Sequence, residues 1–113
     1  MVNTASLIQK HCVPCEGGTL PLTKNEYSQY LPDVPGWTVI NEKKLEKDFS
    51  FKNFKEALDF VNKVGDIAEQ EGHHPDIFLH NWRKVQISLT THAIKGLSEN
   101  DFILAAKIDA LLN

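Results

Sequence analysis

The sequence has 113 residues, enough for one hydrophobic core but not for two, so we expect a single domain. Its composition, 42% hydrophobic and 24% charged, is that of an ordinary globular chain. The net charge of −3 gives no basic surplus for nucleic acid, and no apolar run approaches the roughly 20 residues that span a bilayer. The N-terminus also lacks a long apolar signal segment. We therefore expect no nucleic acid or membrane partner and a cytoplasmic location.

The only cysteines, Cys12 and Cys15, lie close together and are followed by Gly17-Gly18. Two cysteines cannot form a disulfide framework. A structural zinc site needs four ligands, and the two cysteines with His11 would supply only three. We predict that residues 1–21 form a loop with reduced cysteines. Metal binding, partial or shared between subunits, and redox chemistry of the dithiol remain as alternatives.

Two helices are predicted from their start signals in the first half of the chain. Thr23-Lys24-Asn25-Glu26 has the capping-box pattern, and the helix that it starts ends at Pro32. Asn53-Phe54-Lys55-Glu56 starts the second helix in the same way. Its apolar side chains recur at steps of three and four residues, which predicts an amphipathic helix. They are Phe54, Ala57, Leu58, Val61, Val64, Ile67 and Ala68.

Two strand-rich segments separate the predicted helices. Residues 37–51 carry β-forming side chains on both sides of the polar Asn41-Glu42-Lys43, and residues 77–92 form a second such segment. We predict that each segment forms a hairpin. In the later strand of the second hairpin, Val85, Ile87, Leu89 and Thr91 lie on one face, and polar residues that end with His92 lie on the other. A third helix starts at Ser98-Glu99-Asn100-Asp101. The order helix-hairpin-helix-hairpin-helix predicts an α+β fold, a four-stranded antiparallel sheet with three helices on one face.

A histidine pair, His73-His74, follows the second helix and lies between Gly72 and Pro75. Glycine favours the left-handed conformation that ends a helix, and the proline forces His74 into extended geometry. Histidine suits proton transfer near neutral pH, because its unperturbed pKa is about 6.5. Ordinary polarity at a helix end is one interpretation and an acid/base site is another. A metal site built from Glu69, His73 and His74 with His80 or His92 is a third.

The wider spacing resembles a known family. Glu69 is followed after three residues by His73-His74-Pro75, then by Trp82, by His92 after nine residues, and by Asp101 after eight more. This pattern, within HHPDIFLHNWRKVQISLTTHAIKGLSENDFILAAKID, is similar to that of the pterin-4a-carbinolamine dehydratases. The resemblance covers roughly residues 22–112, and we assign residues 22–113 to a domain of that type.

The resemblance implies an activity and a site. Members of the family dehydrate 4a-hydroxytetrahydropterins to quinonoid dihydropterins in pterin cofactor recycling, without a metal or an organic cofactor. By carry-over, His73 and His92 are the acid/base groups, and His74 positions the substrate and shares in the proton transfer. The family fold agrees with the one predicted, and members assemble as homodimers or homotetramers. A non-catalytic scaffold, such as a transcriptional dimerisation cofactor, is the alternative function.

Four further residues are expected to bind the substrate: Glu69, Thr90, Thr91 and Asp101. Each also has an ordinary structural explanation. Glu69 suits the last turn of a helix exposed to solvent, the threonines suit a strand, and Asp101 suits the N3 position of the third helix. Trp82 would line the pocket or pack on the sheet. The sequence departs from the family at Ile77, where many members have tryptophan, and this leaves one wall of the pocket in question.

Overall fold

The computed structural model describes residues 4–13 and 19–112. Within these ranges there are four α-helices and four β-strands. The helices are α1 (Thr4–Gln9), α2 (Lys24–Ser28), α3 (Phe54–Glu71) and α4 (Glu99–Ala110). The strands are β1 (Thr38–Ile40), β2 (Lys44–Ser50), β3 (Asp76–His80) and β4 (Lys84–Leu89). Short 3₁₀-helices span Leu31–Asp33 and His92–Ile94.

The strands form one antiparallel sheet in the order β1-β2-β4-β3. Each predicted hairpin is present, and the two hairpins join through β2 and β4, which pair from Leu45↔Leu89 to Ser50↔Lys84. On β4, Val85, Ile87 and Leu89 are fully buried while the alternate residues are partly exposed. The helices therefore cover a single face, and the predicted α+β fold is confirmed.

Helix α3 begins at Asn53, whose side chain accepts a hydrogen bond from the backbone N–H of Glu56 at 2.9 Å. Its buried residues are spaced by three and four positions: Ala57, Phe60, Val64 and Ala68. The predicted apolar face was wrong for Phe54 and Leu58, which are exposed, and it omitted Phe60. Periodicity gives the direction of an apolar face, but only the neighbouring elements decide how much of that face they cover.

Two glycines of this region provide a matched pair of substitutions. Gly65 lies inside α3, and Gly72 ends the helix with a φ of 64°; a Cβ atom at either position would meet nothing within 4 Å. We expect Gly65→Ala to raise the free energy of unfolding by about 0.5–1 kcal/mol, because alanine restricts the unfolded chain. Gly72→Ala should lower it by about 1 kcal/mol, because an L side chain is strained at positive φ. Urea unfolding measures both, and equal shifts would contradict the left-handed helix end.

The N-terminal segment is more structured than the sequence predicted. Residues Thr4–Gln9 form helix α1, so the predicted loop was wrong there. Leu7 is fully buried, α1 packs on α4, and Lys107 Nζ donates a hydrogen bond to the carbonyl of Ile8 at 2.7 Å. So short a helix has no stability of its own and depends on such packing, which its sequence does not reveal. Cys15, Gly17 and Gly18 lie outside the described residues.

Helix α4 is the central helix of the layer. All residues from Asn100 to Ala106 are buried, as is Ile108, so the helix is covered almost all round. Ser98 and Asp101 form the predicted capping box at its N-terminus. At the other end, Asp109 accepts hydrogen bonds from Trp37 Nε1 at 3.1 Å and Lys47 Nζ at 3.0 Å. Of the helices described, none has both the length and the apolar character needed to cross a membrane.

Candidate active site

An open cavity of about 340 Å³ lies where the end of α3 and the segment after β4 meet the start of α4. Five of the residues that the sequence predicted for the site line it: His73, His74, Thr90, Thr91 and His92. Glu69 and Asp101 do not line the cavity, but each contacts a histidine that does. The fold therefore brings together two segments of sequence that are about 20 residues apart.

His73 is held by a buried carboxylate. Its Nε2 lies 2.6 Å from Asp101 Oδ1, and the side chains are 12% and 0% exposed. Since a carboxylate oxygen accepts hydrogen bonds, Nε2 carries the ring proton and its N–H donates a hydrogen bond to Asp101 Oδ1. The remaining ring nitrogen, Nδ1, then has its lone pair available as a base. This arrangement fixes both the tautomer and the orientation of the His73 ring.

Asp101 serves two purposes at once. Its Oδ2 accepts hydrogen bonds from Thr91 Oγ1 at 2.9 Å and from the backbone N–H of Ser98 at 3.0 Å, while Oδ1 contacts His73. The structural explanation given for this residue, the N3 position of the third helix, therefore applies, and the carboxylate in addition orients a histidine. Its place in the first turn of α4 also favours negative charge through the helix dipole. The fully buried carboxylate thus has three polar partners.

His74 has a different environment. Its Nε2 lies 2.5 Å from Glu69 Oε2, and both side chains are mostly exposed. In a continuous helix Glu69 would be next to His73, four residues later. Because Gly72 turns the chain out of the helix, Glu69 contacts His74 instead. The two adjacent imidazoles consequently have separate carboxylate partners, one exposed and one buried. A surface pair of this kind contributes little to stability, so its main effect is to orient the His74 ring.

His92 lies outside the strand on which the sequence placed it. Strand β4 ends at Leu89, and His92 is the first residue of the 3₁₀-helix that follows. Thr91 bridges to Gly96, its backbone N–H donating to the Gly96 carbonyl at 2.9 Å, and this contact turns the chain out of the sheet. His92 is exposed at the cavity, and no hydrogen bond to its ring occurs among the described residues.

Comparison with known proteins gives this geometry a family. The family model described as pterin 4 alpha carbinolamine dehydratase matches residues 20–111. The chain belongs to this family. A relative from Rubrobacter xylanophilus named for the same dehydratase is 49% identical over 107 residues, covering 95% of the chain and 99% of the relative. Another from Alkaliphilus metalliredigens is 52% identical over 105 residues, covering 92% and 94%. Membership identifies the chain as a dehydratase, an enzyme of the hydro-lyase class.

Solved structures agree with the family assignment. A transcriptional coactivator/pterin dehydratase from Brucella melitensis superposes with a TM-score of 0.76 at 30% identity. The match covers 82% of this chain and 99% of that one. A pterin dehydratase-like protein described as a RuBisCO assembly factor in the alpha-carboxysome gives a TM-score of 0.58 at 25% identity, over 68% and 89%. The dehydratase fold has thus been found in a protein with an assembly role.

Three positions singled out in the sequence lie away from the cavity. Trp82 is in the β3–β4 turn, 58% exposed, with the Arg83 guanidinium 5.5 Å from the centre of its ring. Ile77 is on the edge strand β3 opposite Ile87, so the departure from the family pattern there does not touch the cavity wall. His80 stacks on Phe78. Among the described residues no three His, Cys, Asp or Glu side chains are grouped as metal ligands.

Cys12 is partly buried and contacts the cavity residue Asn100. Its Sγ is 3.6 Å from the carbonyl oxygen of Asn100. Burial of the thiol, with the nearby negative charges of Glu71 and Asp101, raises the pKa of Cys12 to about 12. A thiol of this kind is a poor nucleophile, since the thiolate is the reactive form.

Alkylation tests this environment. In a Cys15→Ser variant at pH 8, we expect Cys12 to react with iodoacetamide roughly 100-fold more slowly than a free cysteine. The same variant unfolded in urea is the control and should react at the ordinary rate. A fast reaction in the folded state would contradict the partly buried position of the thiol.

Four lining residues were not predicted for the site: Gly72 and Ala93, which are next to predicted histidines in the sequence, and two residues from other segments, Val13 and Asn100. Asn100 lay inside the capping pattern of α4 and was assigned no other role. Val13 lay in the segment predicted as a loop. Neither residue type indicates a site on its own, so no local signal was available to find them.

Proposed function

We propose that this protein dehydrates a 4a-hydroxytetrahydropterin to the quinonoid dihydropterin and water in pterin cofactor recycling, with histidines as acid and base. The observation that carries the proposal is that three imidazoles, those of His73, His74 and His92, line one cavity. Family membership supplies the substrate class. The residues need no chemistry other than proton transfer, for which histidine is well suited.

The reaction requires two proton movements. A carbinolamine carries its hydroxyl on a carbon bonded to nitrogen. When the carbon–oxygen bond breaks, the hydroxyl takes up a proton and leaves as water. The N–H proton leaves the nitrogen, whose electrons form the new carbon–nitrogen double bond. An acid near the hydroxyl and a base near the nitrogen accelerate these steps, typically by about 10²–10⁴-fold for each positioned group.

The surroundings of each histidine support separate roles. His73 acts as the base through Nδ1, since Asp101 holds the proton on its Nε2. His92, on the segment that follows β4, acts as the acid for the departing hydroxyl. His74 binds the substrate and shares in the proton transfer, oriented by Glu69. A flat pterin between the two segments would place His73 and His92 on either side of the reacting atoms.

The two threonines contribute by shaping the cavity. Thr90 Oγ1 donates to the carbonyl of Lys43 at 2.6 Å, and Thr91 Oγ1 is occupied by Asp101 and Ser98. Both hydroxyl groups thus have protein partners. We therefore assign substrate contact to the cavity-lining surface of residues 90–91, and we assign the positioning of Asp101 to the Thr91 side chain. The homodimer or homotetramer and the cytoplasmic location expected from the sequence stay predictions.

A second candidate is a protein-binding scaffold without activity. The dehydratase-like protein described as a RuBisCO assembly factor favours considering it, because that protein shares the fold. A scaffold has no need for a buried carboxylate behind a histidine that lines a cavity. The His73–Asp101 pair therefore favours the enzyme.

Turnover of a freshly generated 4a-hydroxytetrahydropterin tests the proposal. The purified wild-type protein should accelerate the appearance of quinonoid dihydropterin, followed by its absorbance, over the spontaneous rate. His92→Ala should remove most of the acceleration, while the exposed and distant Trp82→Ala should retain it. A wild-type protein that leaves the spontaneous rate unchanged would refute the enzyme and favour the scaffold.

A further inference from the structure

We propose that residues 11–13, here called the N-terminal arm, form a wall of the substrate cavity that strengthens pterin binding. Asn100 and Glu71 are the positioning residues that hold this arm. The inference rests on the proposed function, because it concerns the same cavity. Val13 lines that cavity together with the three histidines, although it lies far from them in the sequence.

The arm is an addition to the domain that defines the family. The family model begins at residue 20, and the Brucella melitensis structure is matched over 99% of its length by only 82% of this chain. Curated relatives at about half identity are instead matched over nearly the whole chain, 95% in the case of Rubrobacter xylanophilus. The arm therefore distinguishes a subset of relatives and does not belong to the common catalytic apparatus.

Asn100 is the first anchor. Its Oδ1 accepts a hydrogen bond from the backbone N–H of Val13 at 3.0 Å, and its Nδ2 donates to the Val13 carbonyl at 2.5 Å. One amide thereby fixes both polar groups of a single residue, as a neighbouring strand would. Asn100 is 5% exposed and directly precedes Asp101.

Glu71 is the second anchor. Its Oε1 accepts from the backbone N–H of Cys12 at 2.7 Å, and its Oε2 lies 3.0 Å from His11 Nδ1 and 3.7 Å from Lys107 Nζ. The side chain is 5% exposed. Burial acts to raise the pKa of Glu71, but the hydrogen bonds from Cys12 and His11 and the charge of Lys107 hold it below its ordinary value. A carboxylate buried in this way is costly unless it is paired, and its partners here include the arm.

The anchors lie beside the catalytic elements. Glu71 is the last residue of α3, two positions before His73, and Asn100 is the residue before Asp101 on α4. The arm is thus fixed to both helices that hold the His73–Asp101 pair. Val13 itself remains 64% exposed, an apolar side chain at the rim that a flat heteroaromatic ligand would cover. This contact is made in both ground state and transition state, so it should act on affinity and not on the chemical step.

The expected consequence is a separation of KM from kcat. In Asn100→Ala and in Glu71→Gln, the Kd for 7,8-dihydrobiopterin and the KM for the 4a-hydroxytetrahydropterin should rise roughly 5–30-fold, as expected for the loss of an anchoring hydrogen bond. The kcat should stay within about twofold, and the pH profile of kcat should be unchanged. Glu71 does not line the cavity, so its effect can reach the ligand only through the arm or the helix end.

Two further variants make the test specific. Lys10 directly precedes the N-terminal arm, and its Nζ forms an exposed ion pair with Glu99 at 2.8 Å. Lys10→Ala removes this ion pair and should leave both Kd and KM at wild-type values. Val13→Ala should weaken binding in the wild type but add little to Asn100→Ala, because a released arm no longer presents Val13. If Asn100→Ala does not fold, Asn100→Asp keeps the acceptor for the Val13 N–H and should give a smaller effect of the same kind.

The outcomes separate this inference from the proposed function. Wild-type values of Kd and KM in both anchor variants would refute the proposal that the N-terminal arm strengthens pterin binding. So would a fall in kcat or an altered pH profile without a loss of affinity, since either would assign these residues to catalysis. A wild-type protein that binds 7,8-dihydrobiopterin without turnover would refute the dehydratase, while the Kd comparison would still test the arm.

Discussion

Replacing His73 with alanine should lower kcat for dehydration by roughly 10²–10⁴-fold, the usual contribution of a positioned acid or base. Three histidines line the cavity, and of these only His73 has its ring held by a buried carboxylate, at 2.6 Å. Folding should survive, because the side chain lies at the cavity edge and water can take its place beside Asp101. Single-turnover kinetics with generated 4a-hydroxytetrahydropterin measures the effect on the chemical step.

His80→Ala is the matched control for this substitution. It removes a histidine that stacks on Phe78 in β3 and does not line the cavity. We expect its kcat to equal that of the wild type. A loss of activity of similar size in both variants, or wild-type turnover in His73→Ala, would remove His73 from the mechanism.

Asp101→Asn should reduce both stability and activity. The carboxylate accepts from Thr91 Oγ1 and Ser98 N–H through one oxygen and contacts His73 through the other. An amide has a single acceptor oxygen, so one side of this fully buried group must face an NH₂ donor. We expect the free energy of unfolding to fall by about 2–4 kcal/mol. The kcat should fall at least about tenfold, because the His73 tautomer is no longer fixed.

The control for Asp101→Asn is the same change at Asp109. Asp109 is on the same helix, and its side chain is 16% exposed. It accepts hydrogen bonds from Trp37 and Lys47. Asp109→Asn should lower stability in urea unfolding but leave kcat unchanged, because these partners are far from the cavity. Equal loss of activity in both variants would mean that Asp101 acts only through the stability of α4.

The elements with strong local signals were predicted well. Thr23 and Ser98 start helices as capping boxes, and Gly72 ends α3 in the left-handed conformation, because these effects involve residues within one turn. The turn at Asn41-Glu42-Lys43 and the alternation in β4 were also local. The family spacing gave His73, His74 and His92, all of which line the cavity.

The errors occur where packing decides. Helix α1 is stabilised by burying Leu7, not by a start signal. Strand β4 ends at Leu89, before its alternating pattern does, because Thr91 pairs with Gly96 and turns the chain. The pairing of Glu69 with His74 follows from the change of direction at Gly72, which no helical spacing predicts.

The sequence by itself therefore determined the order of the helices and hairpins that follow α1, the α+β class and the three candidate histidines, because periodicity, capping and motif spacing are properties of neighbouring residues. Only the tertiary structure decided which carboxylate meets which histidine, and that Val13 and Asn100 lie at the same cavity. These contacts join residues up to 87 positions apart. They depend on the packing of α3, α4 and the sheet, which no local pattern encodes.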